Sequence, residues 1–231
     1  DKAANPVNIM GASKSLMEKI ILSKKSNFRV STARFANVAF SNGSLLDGFN
    51  YRINKKQPLS CPSDIKRFFV TEEQSGQICL LATFLGDSGS IFFPKLDFEK
   101  DQIFLKDIAL EFLEEKGFEP VHMRSEKEAK DYITRRKSNN YPIYFFKTDT
   151  SGEKEYEEFY TKKENISLSD YDSLGYISAK NIKISLDEIF DDLNKIFREK
   201  DSNKSSVIKV LKKYLPDFNH IERGKNLDQK M

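Results

Sequence analysis

Two cysteines, Cys61 and Cys79, are all that the 231 residues contain, which excludes a disulfide framework. Both sit in apolar contexts and read as packing residues, so a reduced, cytoplasmic setting is expected. Histidine is equally scarce. His122 and His220 have no partners at metal-ligand spacing, so no metal centre is expected. No apolar run reaches the length that spans a bilayer, and no signal-peptide pattern is visible. An excess of one charge is lacking too: 38 basic residues nearly cancel 35 acidic ones, leaving a net +3, where a nucleic-acid binder would show a basic surplus. None of the ten glycines builds the G-x-G-x-x-G or G-x-x-G-x-x-G turn that holds a pyrophosphate at a helix N-terminus.

What is present suits a globular protein: 39% hydrophobic and 32% charged residues, at a length that allows one large domain or two small ones. From Ile9 to about Lys25, Ile9, Leu16, Met17, Ile20 and Ile21 recur at helical spacing. Residues 28–38, FRVSTARFANV, read as a buried strand. Ser41-Asn42-Gly43-Ser44 forms a turn whose Ser or Asn can cap a helix running through Asn50 and Ile53. A short strand is predicted over Ile65 to Val70. Thr71 then caps a helix that has Glu72 and Glu73 in its first turn and stops at Gly86. Ser90 to Phe93 reads as a third strand. This alternation predicts an α/β architecture with a largely parallel sheet.

Beyond Pro94 the pattern changes. Helices are predicted over Leu105 to Lys116 and Ser125 to Lys137, a strong strand over Tyr141 to Thr148, and weaker ones over Glu155 to Thr161 and Asn165 to Ser169. A helical pair, Leu186 to Lys200 and Ser205 to Leu215, follows, with Ser185 and Glu188 spaced as a capping box. The tail from His220 to Met231 is expected to be extended. Three parts are therefore expected: an α/β part (1–97), a mixed α+β region (98–183), and a C-terminal helical segment (184–231). The apolar stripe of the last part permits either capping of the middle region or association into a homo-oligomer.

The chemistry-bearing residues gather near the start. Asp1 and Lys2 place an acid beside a base. Met10 and Lys14 fall four apart on one helix face. A thioether has no proton to donate, so Met10 cannot act as a proton donor. Arg34 and Asn37 stand at the end of a predicted strand, where open α/β sheets place their ligands. Arg67 offers a planar fork suited to phosphate. Taken singly these residues also read blandly: terminal charges, a core methionine beside a surface lysine, a turn asparagine, a helix-capping serine.

Together they resemble one family. DKAANPVNIMGASK, then FRVSTARFANVAFSNGS, then IKRFFVTEEQSGQI, in order from Asp1 to about Pro94, resemble the nucleotide-sugar 4,6-dehydratases of polysaccharide biosynthesis. These are CapD-like extended short-chain dehydrogenase/reductases. Gly152-Glu153-Lys154 with Glu157 and Glu158 resembles that family's GEK-x-x-E substrate segment. The family commonly carries Arg-Pro just before it, where this chain has Thr150-Ser151, so a phosphate-binding arginine is lost there. Some members carry Met where the superfamily's catalytic tyrosine is expected, as Met10 does here.

The resemblance implies NAD- or NADP-dependent 4,6-dehydration of a UDP-linked N-acetylhexosamine. Hydride leaves sugar C4, water is eliminated across C5 and C6, and hydride returns to C6. It implies Asp1 and Lys2 as the acid/base pair, Lys14 on the nicotinamide ribose, and Met10 packed near the sugar and nicotinamide. Arg34, Asn37, Asn42, Ser44, Arg67 and Glu153 are implied as contacts to the nucleotide diphosphate and sugar. It also implies that 1–97 is the C-terminal portion of a Rossmann-like catalytic domain, that 98–183 is the substrate-binding region, and that a cofactor-binding half lies upstream of Asp1, so the isolated chain is expected to be inactive. UDP against GDP and retention against inversion at C5 stay open. So do a 4-epimerase or reductase of the same fold and a purely interacting fragment.

Overall fold

Local capping sets where the helices begin. Asn8 starts α1 (Ile9–Ser23) by accepting a hydrogen bond from the Gly11 N–H at 2.7 Å, which satisfies one of the donors a helix start leaves unpaired. Ser44 does the same for α2 (Leu45–Asn54) through Asp47 N–H. The chain is described here from a computed structural model that covers residues 1–24, 26–149, 151–154, 156–179 and 182–223. Between and after those helices come β1 (Thr32–Ala33), β2 (Asn37–Val38), β3 (Leu59–Pro62), β4 (Lys66–Arg67), β5 (Phe69–Val70), α3 (Glu72–Leu85) and β6 (Ser90–Pro94). Next are β7 (Ile103–Phe104), α4 (Leu105–Glu115), β8 (Glu119–Met123), α5 (Glu126–Arg135) and β9 (Asn140–Phe146). The chain continues with β10 (Ile166–Ser167), β11 (Leu174–Ser178), α6 (Leu186–Arg198) and α7 (Lys204–Tyr214).

The α/β class expected from the alternation is the one observed. One sheet runs β1-β6-β11-β10, with β1 parallel to β6 and β11 antiparallel to it. A second, all-parallel sheet runs β3-β9-β8. Two short pairs, β2 with β5 and β4 with β7, complete the pairing seen among the described residues. Helix α3 packs Ile78 and Ala82 against Phe92 and Leu174 of the first sheet. Phe49, Leu59, Ile65, Leu113, Tyr141 and Ile143 form the core around the second. A third cluster joins α1 to the C-terminal helices through Ala12, Leu16, Ile189, Leu211 and Phe218. Pairing crosses the boundary expected at residue 97, since β3 bonds to β9 and β6 to β11.

Several local expectations need correction. The single strand expected over 28–38 is two, β1 and β2, in different sheets. Arg34 lies between them with its side chain buried. Residues 156–161 join no strand among the described residues, yet Glu157 and Phe159 turn in while Tyr156 and Tyr160 stay exposed. The alternation is that of a strand without a ladder. Of the expected capping box at α6 only one half forms, Ser185 accepting from Glu188 N–H. Of the tail, residues 224–231 lie outside the described residues.

Candidate active site

A cavity of about 620 Å³ opens between the start of α1, the start of α2, the ends of β2 and β4, and the 151–154 loop. Lys2, Met10, Asn37, Ser44, Arg67 and Glu153, predicted from positions far apart in sequence, all line it. Lys154 and Glu157 line it as well.

Two close backbone approaches shape the wall. Gly152 adopts φ of +69°, and a Cβ there would come within 2.5 Å of the Asn8 side chain. Only glycine meets both conditions. Asn8, while capping α1, donates from Nδ2 to Gly152 O at 2.7 Å, which locks the loop onto the helix start. At Gly11 a Cβ would lie 2.8 Å from Lys2 O, so the helix can sit directly beneath the segment carrying the acid/base pair.

Lys2 is the centre of the polar network. Its Nζ donates to Asn37 Oδ1 and to Asp1 Oδ1, each at 3.2 Å, and lies 3.9 Å from Glu157 Oε1. Asn37 is itself fixed by donating to Phe68 O. Burial holds the Lys2 ammonium below the ordinary lysine range; the negative charge of Glu157 opposes that and Arg67 adds to it. Burial also lowers Lys154, against the pull of Glu157 and Glu158. Lys154 Nζ donates to Ala4 O at 2.6 Å, tying the 151–154 loop to the first residues. Arg67 is buried and donates to Lys154 O and Glu153 Oε1.

Asp1 does not line the cavity. It stands behind Lys2 with its side chain buried, and Oδ2 makes no hydrogen bond among the described residues. Lys14 is exposed one turn beyond Met10, off the cavity wall, and its ammonium pairs with nothing among the described residues. Met10, 52% exposed, forms part of the rim.

Two expected substrate contacts are corrected by geometry. All five N–H groups of Arg34 are engaged: with both oxygens of Glu18, with both oxygens of Glu164 and with Phe159 O, at 2.6–3.1 Å. No donor is left for a phosphate, and the residue is 5% exposed and off the cavity wall. Asn42 sits exposed on its turn, outside the lining. Ser44 lines the cavity, but its hydroxyl is committed to capping α2. Glu157 is not among the expected contacts. Its signal was present in the GEK-x-x-E spacing, yet its burial among three cations is a tertiary fact. Among the described residues no group of three or more His, Cys, Asp or Glu could hold a metal ion.

Comparison with known proteins gives the site a context. The sequence pattern of a family described as "Polysaccharide biosynthesis protein" matches residues 1–179. An uncharacterised membrane protein of Methanocaldococcus jannaschii is 28% identical over 227 residues, 92% of this chain and 59% of that protein. The capsular polysaccharide biosynthesis protein CapD of Staphylococcus aureus is 34% identical over 96 residues, 40% of this chain and 16% of its own length. A UDP-glucose 4-epimerase of Rickettsia bellii is 38% identical over 102 residues, 41% of this chain and 30% of the epimerase. The chain thus spans less than two thirds of the relatives it matches. Among solved structures, Pen from Bacillus thuringiensis superposes with a TM-score of 0.59 at 24% identity, covering 77% of this chain and 50% of Pen. That likeness supports a Rossmann-like fold. No helix among the described residues is long and apolar enough to cross a membrane.

Proposed function

Because the chain belongs to the polysaccharide biosynthesis protein family, we propose that it carries the substrate-handling side of a nucleotide-sugar-modifying enzyme, and that the reaction is NAD(P)-dependent 4,6-dehydration of a UDP-linked N-acetylhexosamine. The observation that carries this reading is the placement of Lys2 at the wall of the 620 Å³ cavity, hydrogen-bonded to Asp1 and Asn37. In elimination, Lys2 takes the C5 proton, the C6–O bond breaks as the C5–C6 double bond forms, and the departing hydroxyl takes a proton from the hydrogen-bonded Lys2–Asp1 pair, of which Lys2 faces the cavity, to leave as water. A carbonyl at C4 makes the C5 proton acidic enough for a buried amine to remove. Such an amine must be partly neutral, the direction in which burial moves Lys2.

A nicotinamide dinucleotide fits these residues at one end only. Lys14, with its ammonium uncommitted beside the Met10 rim, suits a ribose hydroxyl, whereas no glycine-rich pyrophosphate turn occurs within the 231 residues. When bound, such a group accepts hydride from the sugar and returns it. Arg67 and Lys154 offer positive charge to the substrate's diphosphate, Glu153 orients Arg67, and Met10 supplies an apolar rim that passes no proton.

A second reading, 4-epimerisation, is favoured by the named Rickettsia bellii relative. Mass spectrometry separates the two. The intact gene product with UDP-N-acetylglucosamine and NADP+ or NAD+ is expected to give a 4-keto-6-deoxy product lighter by one water. Lys2→Met is expected to slow that product about 10²–10⁴-fold without altering substrate affinity to the same degree. A product of unchanged mass with inverted C4 replaces dehydration by epimerisation.

A further inference from the structure

The Glu157 carboxylate is buried, yet its contacts to the neighbouring cations are longer than hydrogen bonds. Oε1 lies 3.9 Å from Lys2 Nζ and 4.0 Å from Arg67 Nε, and Oε2 lies 3.6 Å from Lys154 Nζ. Three cations from three parts of the chain therefore face one carboxylate at ion-pair distance. Each cation has its own hydrogen-bond anchor elsewhere: Lys2 on Asn37, Arg67 on Lys154 O, Lys154 on Ala4 O. Glu157 is thus not needed to hold any one of them in place. What it supplies is charge, in a region where burial makes charge act strongly.

We propose that Glu157 is a positioning residue that governs how readily Lys2 takes a proton, and that Arg67 and Lys154 regulate it by competing for the same carboxylate. This rests on the reading of Lys2 as the base. The other charged groups facing the cluster are the Asp1 carboxylate, bonded to Lys2, the Asp1 α-amino group near Lys2 and Glu157, Glu153, bonded to Arg67, and Glu158 near Lys154. No carboxylate among these bridges Lys2 to the other two side-chain cations. Glu157 does, so a change at Lys154 is felt at Lys2 although each lysine is anchored separately.

The opposing signs make this testable without substrate or cofactor. Trace acetylation of the whole protein across pH, with modification at Lys2 quantified by peptide mass spectrometry, gives the midpoint at which that amine loses its proton. In Glu157→Gln the stabilising negative charge is gone, so the midpoint is expected to fall, with acetylation of Lys2 at pH 7 about tenfold faster. Glu157→Asp keeps the charge and is expected to return it towards wild type. Lys154→Met removes a competitor for Glu157 and is expected to move the midpoint upward. General loosening of the fold cannot move the two midpoints in opposite directions. Unchanged midpoints, or a shift of the same sign in Glu157→Gln and Lys154→Met, overturn the proposal. If Glu157→Gln does not fold, the absence of a rise in Lys154→Met overturns it alone. Shifted midpoints in a protein that forms no dehydrated sugar would keep the charge coupling and remove the catalytic reading.

Discussion

Arg34 illustrates how far one side chain can be read before its surroundings are known. A guanidinium at a strand end in an α/β sequence invites a phosphate, and the spacing to Asn37 strengthens that reading. In the structure its five donors are spent on Glu18, Glu164 and Phe159 O. It ties α1 to the 159–164 segment, and that segment continues from the one carrying Glu157. Arg34→Met leaves two carboxylates without their cation, and a broken buried pair of this kind costs about 3–5 kcal/mol. Urea denaturation is expected to show that loss. Removal of a phosphate contact would instead leave stability near wild type and weaken substrate binding. Asn37 stands three residues away with the opposite outcome, because its side chain reaches the cavity and holds Lys2.

Among the elements, the helices were legible and four of the short strands were not. Helix α3 begins after Thr71 and ends at Gly86, as its capping signals predict. Thr71 and Gln74 form a reciprocal capping box there, each side chain satisfying the other's backbone N–H. Thr71→Ala is expected to cost about 1 kcal/mol, read as a lower urea midpoint with unchanged slope. Strands β3, β7, β8 and β11 were not legible. A run of two to five residues is too short to show alternation, and a proline inside it argues against a strand. Pro120 is accommodated in β8 because that strand lies at the edge of its sheet. The 28–38 run had the right composition but could not reveal that two sheets divide it.

In the whole molecule, the C-terminal helices reach the site indirectly. Ile189 of α6 and Leu211 of α7 are buried against Ala12 and Leu16 of α1, the helix whose first turn forms the cavity rim. The chain then returns past α7 so that Ile221 N–H bonds to Val7 O, beside the same rim. Residues 184–223 therefore brace the cavity without lining it. Ile189→Ala opens a void in that contact and is expected to cost about 2–5 kcal/mol. Hydrogen exchange is expected to accelerate in α1 as well as α6. Acceleration confined to α6 would mean that the helical segment does not brace α1.

The sequence by itself determined the α/β class, the helix boundaries and the family, because periodicity, caps and ordered motifs are local properties. It also singled out Lys2, Asn37, Arg67 and Glu153 through those motifs. Which of the candidates share a cavity was decided only by tertiary structure. Arg34 and Lys2 are both cations singled out by the same motifs, yet one is saturated by two glutamates and the other faces an open volume. The difference lies in desolvation and in partners brought from more than a hundred residues away, and no local pattern encodes either.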